Sequence, residues 1–425
     1  MKTLRSKHIL SSSEVKKFAS NFFSLSVLQV FNYIIPIIQI PYLVRVLGPE
    51  NFGLISFSTA TLTYFVLITE YGFNYSATQT ISINRNSKKM INEIFSSVMS
   101  LKFLLLIASL IFLLILITTI DIFQTNWDLF IINFGIVISA FLMPTWFFLG
   151  QEDMKYVTIT NFFSRSIFTV CIFIFINDRS DYLLLPFFTG LGGIFGAIVC
   201  LYILHYKYEV NFKIQNTKTL LKYFKDGLSI YGFTMVTSIY TNSMVFILGL
   251  FTNNTIVGYY AAADKIIFAL KGLFAPISQA LYPIFSKKFQ DKNNQGFDLL
   301  KKVSLILIPI MFLISLMMFI FAEKVVLTIF GDKFNESIYI LKILSFVPFF
   351  ISISNLYGIQ AMLNLDAKKE FFYITIIGAT CCIIAAFALI PIYMQNIAAM
   401  IVLSTEFIVA IASAIYVKKL FTRTT

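Results

Sequence analysis

A helix needs about 20 apolar residues to cross the hydrocarbon of a bilayer. Twelve stretches of this chain meet that requirement, at roughly 22–46, 52–80, 95–119, 129–150, 156–177, 182–206, 227–251, 255–285, 303–322, 335–363, 370–391 and 394–417. Nothing else in the sequence limits the fold so tightly, because a chain inside lipid must satisfy its own backbone N–H and C=O groups. Composition agrees. The 425 residues are 58% hydrophobic and 13% charged, against about 25% charged in a soluble domain. The expectation is an all-α polytopic membrane protein.

The connectors set its orientation. Segment Met1–Ser20 is polar and basic and does not read as a removable signal peptide, so the first span is expected to be kept and the N-terminus to lie in the cytoplasm. Counting spans from there, 24 basic residues fall on the cytoplasmic side and only four, Arg45, Arg179, Lys324 and Lys333, on the outer side. This is a strong positive-inside bias, and both termini come out cytoplasmic. The net charge of +12 belongs to these connectors and does not form one basic face, so nucleic acid is not expected as a partner. The outer connectors are short, and no segment is long enough for a soluble catalytic domain. The four cysteines lie in apolar segments with no C-x-x-C spacing, and the two histidines sit in separate flanks. No metal site and no cofactor are expected.

Five cations interrupt the apolar spans: Lys102, Arg165, Lys265, Lys271 and Lys342. A charge at the bilayer centre costs at least ~2.5–3.5 kcal/mol, so such residues face a partner or a watery cavity. Only Glu70, Asp264 and Glu406 accompany them in the spans. The excess is positive, which points to a cavity for something negative.

The basic connector around Lys207–Lys225 divides the spans six and six, giving expected lobes at 1–212 and 213–425. The outer turn Leu47-Gly48-Pro49-Glu50-Asn51-Phe52-Gly53 has a faint counterpart in Phe251-Thr252-Asn253-Asn254 followed by Val257-Gly258-Tyr259-Tyr260. Six spans per half make the repeats parallel, related by an axis along the membrane normal.

Several stretches resemble the Wzx O-antigen flippases, the polysaccharide transporter branch of the MOP superfamily that also contains the MATE exporters. Pro41-Tyr42-Leu43-Val44-Arg45-Val46-Leu47-Gly48-Pro49-Glu50-Asn51-Phe52-Gly53 is similar to their first-loop signature. Glu70-Tyr71-Gly72-Phe73-Asn74, Gly258-Tyr259-Tyr260-Ala261-Ala262-Ala263-Asp264-Lys265-Ile266, Pro276–Pro283 and Ser354–Gln360 follow in family order. The resemblance implies two six-helix, MATE-like lobes around a central cavity. It implies a non-enzymatic flippase for undecaprenyl-pyrophosphate-linked oligosaccharide in a bacterial inner membrane. It further implies hand-over to an O-antigen polymerase and its chain-length regulator.

On that reading Arg45, Lys102, Arg165, Lys265 and Lys271 are the candidate cavity cations, and Glu70 and Asp264 the candidate coupling groups or counter-ions. Each has an alternative. Guanidinium forks match phosphate oxygens, but Arg165 also suits an interhelical pair. Lys102 and Lys342 lie near span ends, where long side chains snorkel to headgroups. Arg45 suits either a gate or a cation capping a helix C-terminus. Asp264 and Lys271, seven residues apart, share a helix face, while the adjacent Lys265 points about 100° away, towards either the cavity or a neighbour. Glu406 has no assignable partner. Tyr33, Tyr64, Tyr75, Tyr231, Tyr240, Tyr259 and Tyr260 suit either a sugar path or helix packing. Pro36, Pro144, Pro276, Pro309 and Pro348 are candidate kinks, with Pro36 and Pro276 the expected bending points. No Walker A sequence is present, so ATP is not the direct energy source. Rival readings are a flippase for another lipid-linked glycan and a MATE-like drug or cation antiporter.

Overall fold

The computed structural model describes the backbone of residues 12–290 and 295–424; side chains are described for 35–422 outside positions 229–230, 233–234, 236–241, 273, 275 and 291–294. Among these residues the chain is helical almost throughout, without strands. Nine helical stretches are long and apolar enough to cross a bilayer. Two of the nine are pairs of spans whose connecting turn is very tight. Ser12–Glu70 carries spans one and two, separated at Gly48 (φ 74°), and Lys368–Thr424 carries spans eleven and twelve, separated at Met394 (φ 58°). Span seven, Thr217–Phe251, adds the last. The result is a twelve-helix membrane fold.

Capping residues start the helices where the sequence permits. Ser87 accepts from the Met90 N–H at the start of Lys88–Thr119, and Asn216 accepts from the Thr219 N–H at the start of span seven. Several spans are broken inside the bundle. Span two stops at Glu70, passes through Tyr71 (φ 44°) and Gly72 (φ 71°), and resumes as Phe73–Ile83. Span four is three pieces, Trp127–Asn133, Gly135–Leu142 and Thr145–Gln151. Span ten begins as Glu336–Leu344 and Val347–Ser354 and ends in a π-helical turn, Asn355–Ala361.

Pro36 and Pro276, the expected bending points, both sit inside continuous helix. The break in the first pair of spans falls at Gly48, whose left-handed conformation costs glycine little. Pro144 does interrupt its span, and Pro348 stands at the start of a new helix.

The two halves meet most intimately on the outer side. A Cβ on Gly53 would lie 1.8 Å from the Asn254 carbonyl oxygen, and one on Gly258 would lie 1.9 Å from the Pro49 carbonyl oxygen. Each glycine stands four residues after the residue its partner touches, so the crossing is reciprocal. A glycine on each helix lets the two backbones approach closely in a membrane. Behind it lies a continuous core in which Phe57, Phe130, Ile247, Leu248, Ala261–Ala263, Phe334 and Ala398 are buried.

On the opposite side, Tyr71 stacks between Phe224 and Tyr231, with ring centroids 4.5 and 4.6 Å away. Tyr223 is buried in the same cluster with Ile94 and Trp146. Span seven therefore starts against the first half of the chain and finishes, at Met244, Ile247 and Leu248, in the central core.

Candidate functional site: the central cavity

Below the glycine crossing, a cavity of about 360 Å³ opens between the halves. From the first half, Pro36, Gln39 and Leu43 face it on one helix and Ser56, Thr59, Ala60 and Thr63 on the next. Their spacing of three and four residues is that of one helix face. Asn133 and Thr189 complete that wall. Asn242, Tyr260, Asp264, Lys265, Lys271 and Glu406 stand on the wall from the second half.

The structure thus places Asp264, Lys265 and Lys271 together on the cavity lining, carried by the Asn254–Gln290 helix. Glu406 joins them from the last helix, so the charged lining holds two carboxylates and two ammonium groups. The excess of positive charge read from the apolar spans is not carried into the lining described.

The other candidates lie elsewhere. Lys102 is 2% exposed and donates to the Ala140 carbonyl at 2.6 Å. Proline at 144 has no N–H for the carbonyl four residues before it, so Ala140 is left an orphan acceptor. Lys102 therefore neither snorkels to the headgroups nor lines the cavity; it satisfies the break in span four. Glu70 is the acid whose charge acts on Lys102, and its carboxylate accepts from Asn74 at 3.1 Å.

Arg45 stands at the outer seam. Its guanidinium donates to the Ile329 carbonyl at 3.0 Å and to the Thr328 carbonyl, capping the C-terminus of the Gln295–Ile329 helix. This is the capping alternative, realised across the two halves and not within one helix. Arg165 lies one turn before Thr169, whose hydroxyl accepts from the cavity residue Gln39 at 2.7 Å. Arg165 shares that helix face, but it is absent from the lining. Lys342 is half-buried in the last turn of Glu336–Leu344, also away from the cavity.

Of the tyrosines, Tyr260 lines the cavity, Tyr259 faces an outer recess beside Arg179 and Lys333, and Tyr75 is exposed. The side chains of Tyr33 and Tyr240 lie outside the described residues. Gln39, Asn133, Asn242 and the stripe Ser56, Thr59, Thr63 carry no charge and were not among the candidates read from the sequence. A helical-period polar stripe in an apolar span was the available signal. The amides are isolated, and only packing shows which way they face.

A family model described as "Polysaccharide biosynthesis protein" matches residues 18–289. A protein of Escherichia coli (strain K12) named "Putative O-antigen transporter" is 33% identical over 401 residues, covering 94% of this chain and 96% of that one. The chain belongs to this polysaccharide biosynthesis family.

Solved structures with the same fold include MATE family transporters of the MOP superfamily and a lipid II flippase. The polysaccharide biosynthesis chain superposes on an inward-facing multidrug resistance MATE transporter with a TM-score of 0.72 at 13% identity, covering 92% of this chain and 95% of that one. For the lipid II flippase MurJ in an inward closed conformation the TM-score is 0.70 at 15% identity, covering 92% of this chain and 87% of that one. An outward-facing MATE transporter gives 0.52 at 13% identity, with 95% of each chain covered. Within the family fold, the cavity lies where two helix groups face each other, the usual place for a transporter's substrate site.

Proposed function

We propose that this protein is a flippase for undecaprenyl-pyrophosphate-linked O-antigen oligosaccharide, moving it from the cytoplasmic to the periplasmic leaflet of the inner membrane. The observation that carries the reading is a polar cavity between two helix groups that cross closely at Gly53 and Gly258, in a member of a polysaccharide biosynthesis family. Lys265 and Lys271 meet the pyrophosphate while the polyprenyl tail stays in lipid. Residues 1–212 and 213–425 rock as the two lobes of an alternating-access cycle. Asp264 and Glu70 are the groups proposed for ion coupling. Translocated units pass to an O-antigen polymerase and its chain-length regulator.

The carboxylates Asp264 and Glu406 in the cavity give the MATE-like cation antiporter its one specific support. Deleting the gene in a strain of known surface glycan separates the readings. A flippase leaves single lipid-linked units trapped at the cytoplasmic face and no long glycan. Full-length glycan together with new drug sensitivity would overturn it. If a capsule is lost while O-antigen persists, the substrate is another lipid-linked glycan.

A further inference from the structure

The two walls of the cavity differ in chemistry. Every charged residue on the described lining, Asp264, Lys265, Lys271 and Glu406, comes from the second half of the chain. The first half contributes only amides, hydroxyls and apolar groups.

The hydrogen bonds sharpen the contrast. Ser56 Oγ donates to the Phe52 carbonyl at 2.7 Å, Thr63 Oγ1 to the Thr59 carbonyl at 2.8 Å and Thr189 Oγ1 to the Leu185 carbonyl at 2.8 Å. Each hydroxyl spends its single proton on its own helix and keeps its lone pairs. Gln39 Nε2 is committed to Thr169 at 2.7 Å. Asn133 Nδ2 is committed to Ser58 and Thr59 at 3.0 and 3.2 Å. What the first-half wall keeps for a ligand is mostly acceptor oxygen: Gln39 Oε1, Asn133 Oδ1 and the three hydroxyl oxygens.

An acceptor wall repels phosphate oxygens and receives hydroxyl protons. Lysine ammonium groups do the reverse, being donors only. Resting on the flippase reading above, we propose that Gln39, Ser56, Thr63, Asn133 and Thr189 form a sugar subsite that binds the hydroxyl groups of the glycan. The pyrophosphate linkage lies across from it on Lys265 and Lys271. Glycan selection then belongs to the first half of the chain and anchorage of the common linkage to the second.

Two lipids test this on the full-length protein in nanodiscs. One is the lipid-linked oligosaccharide accumulated by the deletion strain; the other is synthetic undecaprenyl pyrophosphate without sugar. The double variant Ser56→Ala, Thr63→Val keeps side-chain shape and removes two acceptors. It should weaken the glycan lipid roughly tenfold, the worth of one or two hydrogen bonds, and bind the sugarless lipid as the wild type does. That second binding also reports a folded protein. Lys265→Gln with Lys271→Gln should weaken both lipids. Equal weakening of both lipids by the double variant, or wild-type affinity for the glycan lipid, overturns the sugar subsite and leaves the flippase reading standing. A wild-type protein that binds neither lipid overturns both.

Discussion

Lys102 shows how a single cation in an apolar span acquires a job. Its ammonium meets a carbonyl that Pro144 leaves without a partner, so its loss is expected to cost stability first. Lys102→Met keeps the aliphatic stem and leaves the Ala140 carbonyl buried and unpaired, which costs about 1–3 kcal/mol. The melting temperature in detergent should fall while residual folded protein still transports. Normal melting with lost transport would return Lys102 to the substrate path. Asp153 offers a second residue-scale test at the cytoplasmic surface. It accepts from Tyr208, and from Lys207 at 3.1 Å, with Lys155 at 3.5 Å. Burial raises its pKa, but the hydrogen bonds from Tyr208 and Lys207 outweigh burial and hold the carboxyl below the usual range. A depressed carboxyl contributes stability above its unfolded pKa of about 3.9 and loses it as pH falls through the folded value. Melting temperature should therefore hold from neutral pH to about pH 4, then drop. Asp153→Asn should melt lower at neutral pH and show a smaller acid loss.

At the scale of elements, the outer crossing is the contact most sensitive to one methyl group. Gly258→Ala would put a Cβ 1.9 Å from the Pro49 carbonyl oxygen. Overpacking costs about 1–3 kcal/mol even where flexible side chains can yield, so the outer-closed arrangement should be depleted roughly tenfold or more. The variant should express and insert normally but transport poorly. Arg45 belongs to the same contact, since its bonds to Thr328 and Ile329 join the first helix to the C-terminus of the Gln295–Ile329 helix. Arg45→Ala should impair closure more mildly, because an exposed cation on a helix end is worth only about 0.3–1 kcal/mol. Wild-type transport by Gly258→Ala would show that the crossing is not part of the cycle.

For the whole molecule, the flippase reading with the outer glycine crossing closed at rest predicts which side reaches the interior. Ala60 lines the cavity. In a chain with Cys171, Cys200, Cys381 and Cys382 replaced, Ala60→Cys should react with an impermeant maleimide in inside-out vesicles and be protected in right-side-out cells. Adding Gly258→Ala should raise outer labelling. Labelling of Ala60→Cys from the outside without that change would contradict a seam closed at rest.

Span length, charge asymmetry and the motifs from Pro41 to Gly53 were enough to determine twelve helices, their orientation and the family, because continuous apolar runs of about 20 residues satisfy their backbone in lipid as helices and connectors carry their charge openly. The faint likeness between the turns at Gly48 and Asn253 was also legible. That they touch each other was not, since a contact between residues some 200 apart leaves no local pattern. Tertiary structure alone decided where these candidate cations point. Lys265 and Lys271 line the cavity, whereas Lys102 finds a carbonyl freed by a proline on another helix and Arg45 reaches a helix end across the seam. A charge in an apolar span announces that a partner exists; only packing shows which one.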